Sequence, residues 1–61
     1  MKTDSLRVGK TYTYSSNLID VDVIYDGIES EGLTFYKFKS ISLDVPYRLW
    51  AHEVETKITE K

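Results

Sequence analysis

The sequence predicts an all-β domain of five short strands, and three observations carry that prediction. Eight aromatic residues stand among 61 positions: Tyr12, Tyr14, Tyr25, Phe35, Tyr36, Phe38, Tyr47 and Trp50. Most fall in short runs where apolar and polar residues alternate, the pattern of a strand with one buried face. Gly, Asn, Asp and Ser clusters punctuate those runs, as turns require. Eight rings fill the core of a very small domain and leave one or two on its surface. The surplus rings are the leading functional candidates, because aromatic residues anchor binding surfaces.

Each predicted element has a local reason. The stretch Leu6 to Tyr14 places Leu6, Val8, Tyr12 and Tyr14 on one side of a strand, with Gly9 marking a turn or bulge before the main pairing. Ser15-Ser16-Asn17 reads as a loop. Leu18 to Tyr25 forms a second strand, with Val21, Val23 and Tyr25 on one face and Asp20 and Asp22 on the other. These acids suit a solvent-facing strand edge. Asp26-Gly27 and Glu29-Ser30-Glu31-Gly32 have turn chemistry. The third strand, Leu33 to Ile41, carries rings on both faces, which a bulge or strong coiling midway would reconcile. After a turn at Ser42-Leu43-Asp44, Val45-Pro46 opens a fourth strand, with Tyr47, Leu49 and Ala51 facing one way and Arg48 and Trp50 the other.

The tail has two readings. Trp50, Val54 and Ile58 recur at helical spacing. Alternatively, Ala51 to Val54 makes one helical turn and Thr56 to Thr59 a closing strand, which the β-branched content favours. Residues 1–5 and 60–61 read as loosely ordered ends of a single domain spanning 1–61.

In the order of its elements the chain resembles SH3-like barrels. The segment Tyr47-Arg48-Leu49-Trp50-Ala51-His52-Glu53-Val54-Glu55-Thr56-Lys57-Ile58 carries the likeness. The resemblance implies a barrel or roll in which Val54 plugs one end and Ile58 points inward from the closing strand. It does not imply recognition of Pro-rich peptides, since the aromatic signature of the first strand and the gripping Trp pair are missing. SH3-like folds host protein-binding, methyl-lysine-binding and nucleic-acid-binding members alike, so the fold does not choose among them.

Composition narrows the function classes. A chain this short buries only about 60% of the surface that its unfolded form exposes. A deep catalytic cleft is hard to build on that scale. The sequence has no Cys and a single His, too few for a disulfide or a His-Cys metal site, and its three glycines are too scattered for a phosphate loop. His52-Glu53 with Glu55 reads as helix surface, since no nucleophile or ligand set accompanies it. No catalytic residue, cofactor or metal is therefore expected. No apolar run approaches the roughly 18 residues of a membrane span. Met1-Lys2-Thr3-Asp4-Ser5 lacks a signal peptide's apolar stretch, so the chain is read as starting at Met1 and as cytoplasmic. The formal charge of −2 disfavours nucleic acid, although Arg7, Lys10, Lys37, Lys39 and Arg48 are candidate phosphate contacts.

These constraints lead to a non-enzymatic module that binds a protein partner. A small regulator, an accessory subunit or an inhibitor of the kind encoded by phages and other mobile elements fits its size. Trp50, Arg48 and Tyr36 are the expected contacts, and the Asp20/Asp22 strand edge is a site for dimerisation or strand addition. The plainer reading of Trp50 folds it over a barrel end with Arg48 stacked on it. Nucleic-acid binding and small-ligand sequestration are the alternatives. In Tyr36-Lys37-Phe38-Lys39, alternation sends rings and ammonium groups to opposite faces, which argues against a stacking platform.

Overall fold

The computed structural model describes residues 1–17 and 19–61; Leu18, where the second strand was expected to begin, lies outside the described residues. Five antiparallel strands run β1 (Thr11–Ser16), β2 (Ile19–Glu31), β3 (Leu33–Ser40), β4 (Pro46–Leu49) and β5 (Ile58–Glu60). A 3₁₀ turn at Thr3–Ser5 precedes them, and one helix, α1 (Ala51–Lys57), separates β4 from β5. The strand order is β4-β3-β2-β1-β5.

The sheet is rolled, but it does not close into a barrel. β4 and β5 end the strand order as unpaired edges. Curling is nevertheless strong. β1 and β4 stand three strand spacings apart, about 14 Å across a flat sheet. Yet the rings of Tyr14 on β1 and Tyr47 on β4 meet at 5.3 Å. The Cα radius of gyration, 10.5 Å, equals the roughly 10.5 Å of a compact chain of this length.

One face of the roll holds the core: Tyr12, Val23, Tyr25, Phe38, Leu49, Val54 and Ile58 are all buried. Alternation explains most of this set. Tyr12 pairs with Val23, Tyr25 with Phe38, and Tyr36 with Leu49, and directly opposed residues share a face. The buried Tyr12 hydroxyl accepts a hydrogen bond from the Arg7 backbone N–H at 2.9 Å, so the ring is buried without leaving its polar tip unpaired.

α1 fills the gap that the two edges leave. Its N-terminus is set by Glu53, whose carboxylate accepts from the Trp50 backbone N–H at 3.1 Å, while the Glu53 N–H donates to the Trp50 carbonyl at 3.0 Å. The helix packs against β1, β3 and β5 and inserts Val54, fully buried. Ile58 follows at the start of β5 and is buried as well. Both expected inward positions are therefore met. The helix runs seven residues, however, beyond the single turn expected, and β5 starts only at Ile58.

Other boundaries also moved, each for a physical reason. β2 continues through Asp26-Gly27 as a bulge and reaches Glu31, so the turn chemistry there shapes a thirteen-residue strand; the hairpin itself turns at Gly32. Gly32 has φ +83°, a conformation glycine adopts without Cβ strain. β1 extends through Ser16, where a loop was expected, and begins only at Thr11. Upstream, a turn closed by Lys10 N–H to Arg7 C=O at 3.1 Å takes Val8 out of the strand and exposes it.

Ile58 has no room to lose atoms. Truncating it to Ala is expected to cost about 2–5 kcal/mol. A domain of this length has a total of about 3–9 kcal/mol by per-residue scaling. Ile58→Ala should therefore lose a large share of the domain's stability and show a much lower urea midpoint, whereas Ile58→Val should lose about 1 kcal/mol and keep a midpoint near that of the wild type. Urea denaturation followed by far-UV circular dichroism checks both.

Candidate interaction face

The face of the sheet opposite the core is where the unabsorbed rings lie. β3 alternates without a bulge, so Thr34, Tyr36, Phe38 and Ser40 turn to the core side and Leu33, Phe35, Lys37 and Lys39 to the outer side. Register continues the same division into β4: Lys37 opposes Arg48, and Phe35 lies beside Trp50. The Phe35 and Trp50 ring centroids are 4.5 Å apart at 45°, and Trp50 remains 40% exposed. Phe35 beside it is half-buried.

Charge around the rings is largely balanced. Arg48 Nε lies 3.2 Å from a Glu29 carboxylate oxygen, an ion pair from β4 across β3 to β2. Lys39 pairs with Asp44 at 2.9 Å; that hydrogen bond, then Asp44's charge, holds the ammonium above its ordinary pKa. Exposed pairs of this kind contribute about 0–1 kcal/mol each, so they set the local field more than the stability.

The sequence candidates separate on this geometry. Trp50 and Arg48 share the outer face, as alternation predicted. Tyr36 does not join them, because it packs against the core cluster from the other side of β3. Phe35 takes its place beside Trp50. Asp20 and Asp22 were expected on a strand edge; β2 is the central strand of the sheet, but its ladder with β3 begins only at Val23, so both acids precede that pairing. Both acids are exposed opposite β1, and Asp22 pairs with Lys61.

The basic candidates are scattered. Lys10 forms an ion pair with Glu60, whose carboxyl is held below its usual range by that hydrogen bond and then by the charge of Lys10. Arg7 is exposed in the turn before β1. Lys37 is half-buried on the outer face opposite Arg48. A depression of about 260 Å³ is lined by Ile24, Asp26, Lys39, Ser40, Ile41 and Asp44, smaller than the roughly 300–1,000 Å³ usual for small-molecule sites. His52 stands exposed on α1, its carbonyl accepting from the Thr56 hydroxyl at 2.8 Å. No helix among the described residues is long and apolar enough to cross a membrane.

No protein-family model, curated protein or solved structure matches this chain.

Beneath the outer face, Tyr25 ties stability to alkaline pH. Burial, then the neighbouring phenols of Tyr36 and Tyr12, raise its pKa above the ordinary tyrosine value. The unfolded phenol therefore ionises first. The stabilisation linked to Tyr25 is complete below the ordinary value of about 10 and is lost as pH rises through the higher folded value. The urea midpoint should fall as pH is raised past about 10, and Tyr25→Phe should flatten that fall.

Proposed function

We propose that this chain is a non-enzymatic binding module that engages a protein partner through the outer face of β3 and β4. Trp50 and Phe35 form the apolar centre of the contact, and Arg48 stands beside it. The observation that carries this reading is the Phe35–Trp50 ring pair on the outer face of the sheet, with Trp50 exposed and Phe35 half-buried. Large rings shielded on one side and open on the other are the anchors that dominate protein interfaces. Arg48, already held by Glu29, adds a directional donor without requiring a strongly basic partner surface.

The element order, with one helix between the fourth and fifth strands, supports placing the domain among SH3-like rolls, a superfold used widely for binding. A 61-residue module of this kind suits a regulator, an accessory subunit or an inhibitor, including those encoded by phages and other mobile elements.

One observation favours nucleic acid as a second reading. Phe35 and Trp50 share their face with Lys37, Lys39 and Arg48, so rings and cations do interleave, through Phe35 instead of the core-facing Tyr36 and Phe38. The carboxylates on Lys39 and Arg48 weigh against it, because they cancel the charge that phosphate contacts need.

Capture from nuclease-treated lysate of the source cells, followed by titration of the purified partner, separates the readings. For a protein partner, Trp50→Ala, shown to be folded by circular dichroism, should weaken binding by about 30-fold or more, the loss expected of a hot-spot residue. Affinity should change little between low and moderate salt. Capture abolished by nuclease, with affinity falling steeply as salt rises, would transfer the function to nucleic acid. A partner bound equally by wild type and Trp50→Ala would remove this face from the contact.

A further inference from the structure

β2 is longer than the strand that covers it. Its ladder with β3 starts at Val23, opposite Ser40, whereas its ladder with β1 runs back to Ile19. β3 ends at Ser40, and a last bond from the Ile41 N–H to the Asp22 carbonyl, 3.1 Å, closes that side. Ile19 to Val21 therefore form a short stretch of open edge within an otherwise central strand.

Hydrogen-bond direction fixes which groups are free there. Tyr25 exchanges bonds with Lys10 and Gly9 on the β1 side, at 3.1 and 2.9 Å. Alternation then turns Val23, Val21 and Ile19 toward β1 and Asp22 and Asp20 toward the β3 side. The Asp22 carbonyl takes the Ile41 N–H; the Asp20 N–H and C=O have no backbone partner on that side among the described residues. Exposed apolar side chains border the gap: Ile19 at 63%, Ile41 at 52% and Leu43 at 66%.

We infer that this overhang accepts an added β-strand from a partner segment that alternates apolar and basic residues. The overhang's own pattern, Ile19-Asp20-Val21-Asp22, sets that complement. Apolar residues of the added strand would lie beside Ile19 and Val21 on the core side. A lysine or arginine would lie beside Asp20 on the outer side, diagonal to Asp22, where opposite charges across a ladder attract. The chain already uses this chemistry once, since Lys61 reaches Asp22 over the same face. A second copy is the poorer occupant: pairing the overhang with itself would bring aspartates together across the ladder, and like charges there repel. The site stands apart from the Trp50 face, at the opposite end of β3, and does not depend on it.

A short peptide alternating valine and lysine is the probe, with a peptide of the same composition in separate valine and lysine blocks as control. Titration followed by ¹⁵N–¹H NMR should shift the amides of residues 19–22 and 41–43 with the alternating peptide only. The Asp20 amide should gain protection from hydrogen exchange. Asp20→Lys should weaken binding about tenfold, as expected when one attractive cross-strand pair becomes repulsive, while Trp50→Ala should leave it unchanged. Equal shifts with both peptides, shifts centred on Phe35 and Trp50, or Asp20 protection that grows with protein concentration without peptide would each overturn the inference.

Discussion

Phe38 carries the architecture. Its ring meets the edge of Tyr12 at 6.4 Å and 87° and lies against Tyr25 at 5.1 Å and 46°, so one residue of β3 ties together β1 and β2. Edge-on and tilted packing suits the charge distribution of aromatic rings and adds about 0.5–1.5 kcal/mol per pair beyond burial. A chain with no Cys needs its few buried side chains to be large. One ring packed against two others meets that need with few residues. The curl of the sheet follows, because flat strands could not bring rings from β1, β2 and β3 into one cluster while also joining Tyr14 to Tyr47.

Curling by the core explains why the roll stays open. The bulge at Asp26 lets β2 bend without surrendering either neighbour, and β2 then serves β1 with its first half and β3 mainly with its second. The remaining gap between β4 and β5 is spanned by α1, with Val54 supplying the packing that a direct strand pairing would otherwise bring. β4 is a modest edge: four residues long and beginning with Pro46, which has no N–H to offer a neighbour.

Much of this was legible in the residues. Alternation placed Tyr12, Val23 and Tyr25 inward and Arg48 and Trp50 outward, and the resemblance in element order placed Val54 and Ile58 inside. What the sequence could not separate was a turn from a bulge. Asp26-Gly27 offers the same freedom to both, and only the pairing of Gly27 with Lys37 decides that the strand continues. β3 posed the converse problem. Rings on both faces suggested a switch of face midway, but the strand alternates regularly and one ring is left outside. That ring, Phe35, is the candidate-site residue that sequence reasoning missed. Its partner lies fifteen positions away, just past the end of β4, and only the register between β3 and β4 brings them together. The Glu29–Arg48 pair is hidden for the same reason.

The division of rings between the two faces is the strongest guide to what the outer face is for. Tyr12, Tyr14, Tyr25, Tyr36, Phe38 and Tyr47 all belong to the core or pack against it. Phe35 and Trp50 make no such contribution, yet they stand together. A scattered exposed ring needs no explanation, since folded surfaces are more than half apolar. Two adjacent rings are different: each covers part of the other, and replacing either with a polar residue would take nothing from the buried cluster. The rings packed in or against the core and the two that meet on the outer face are thus separate sets, divided by the two sides of the sheet.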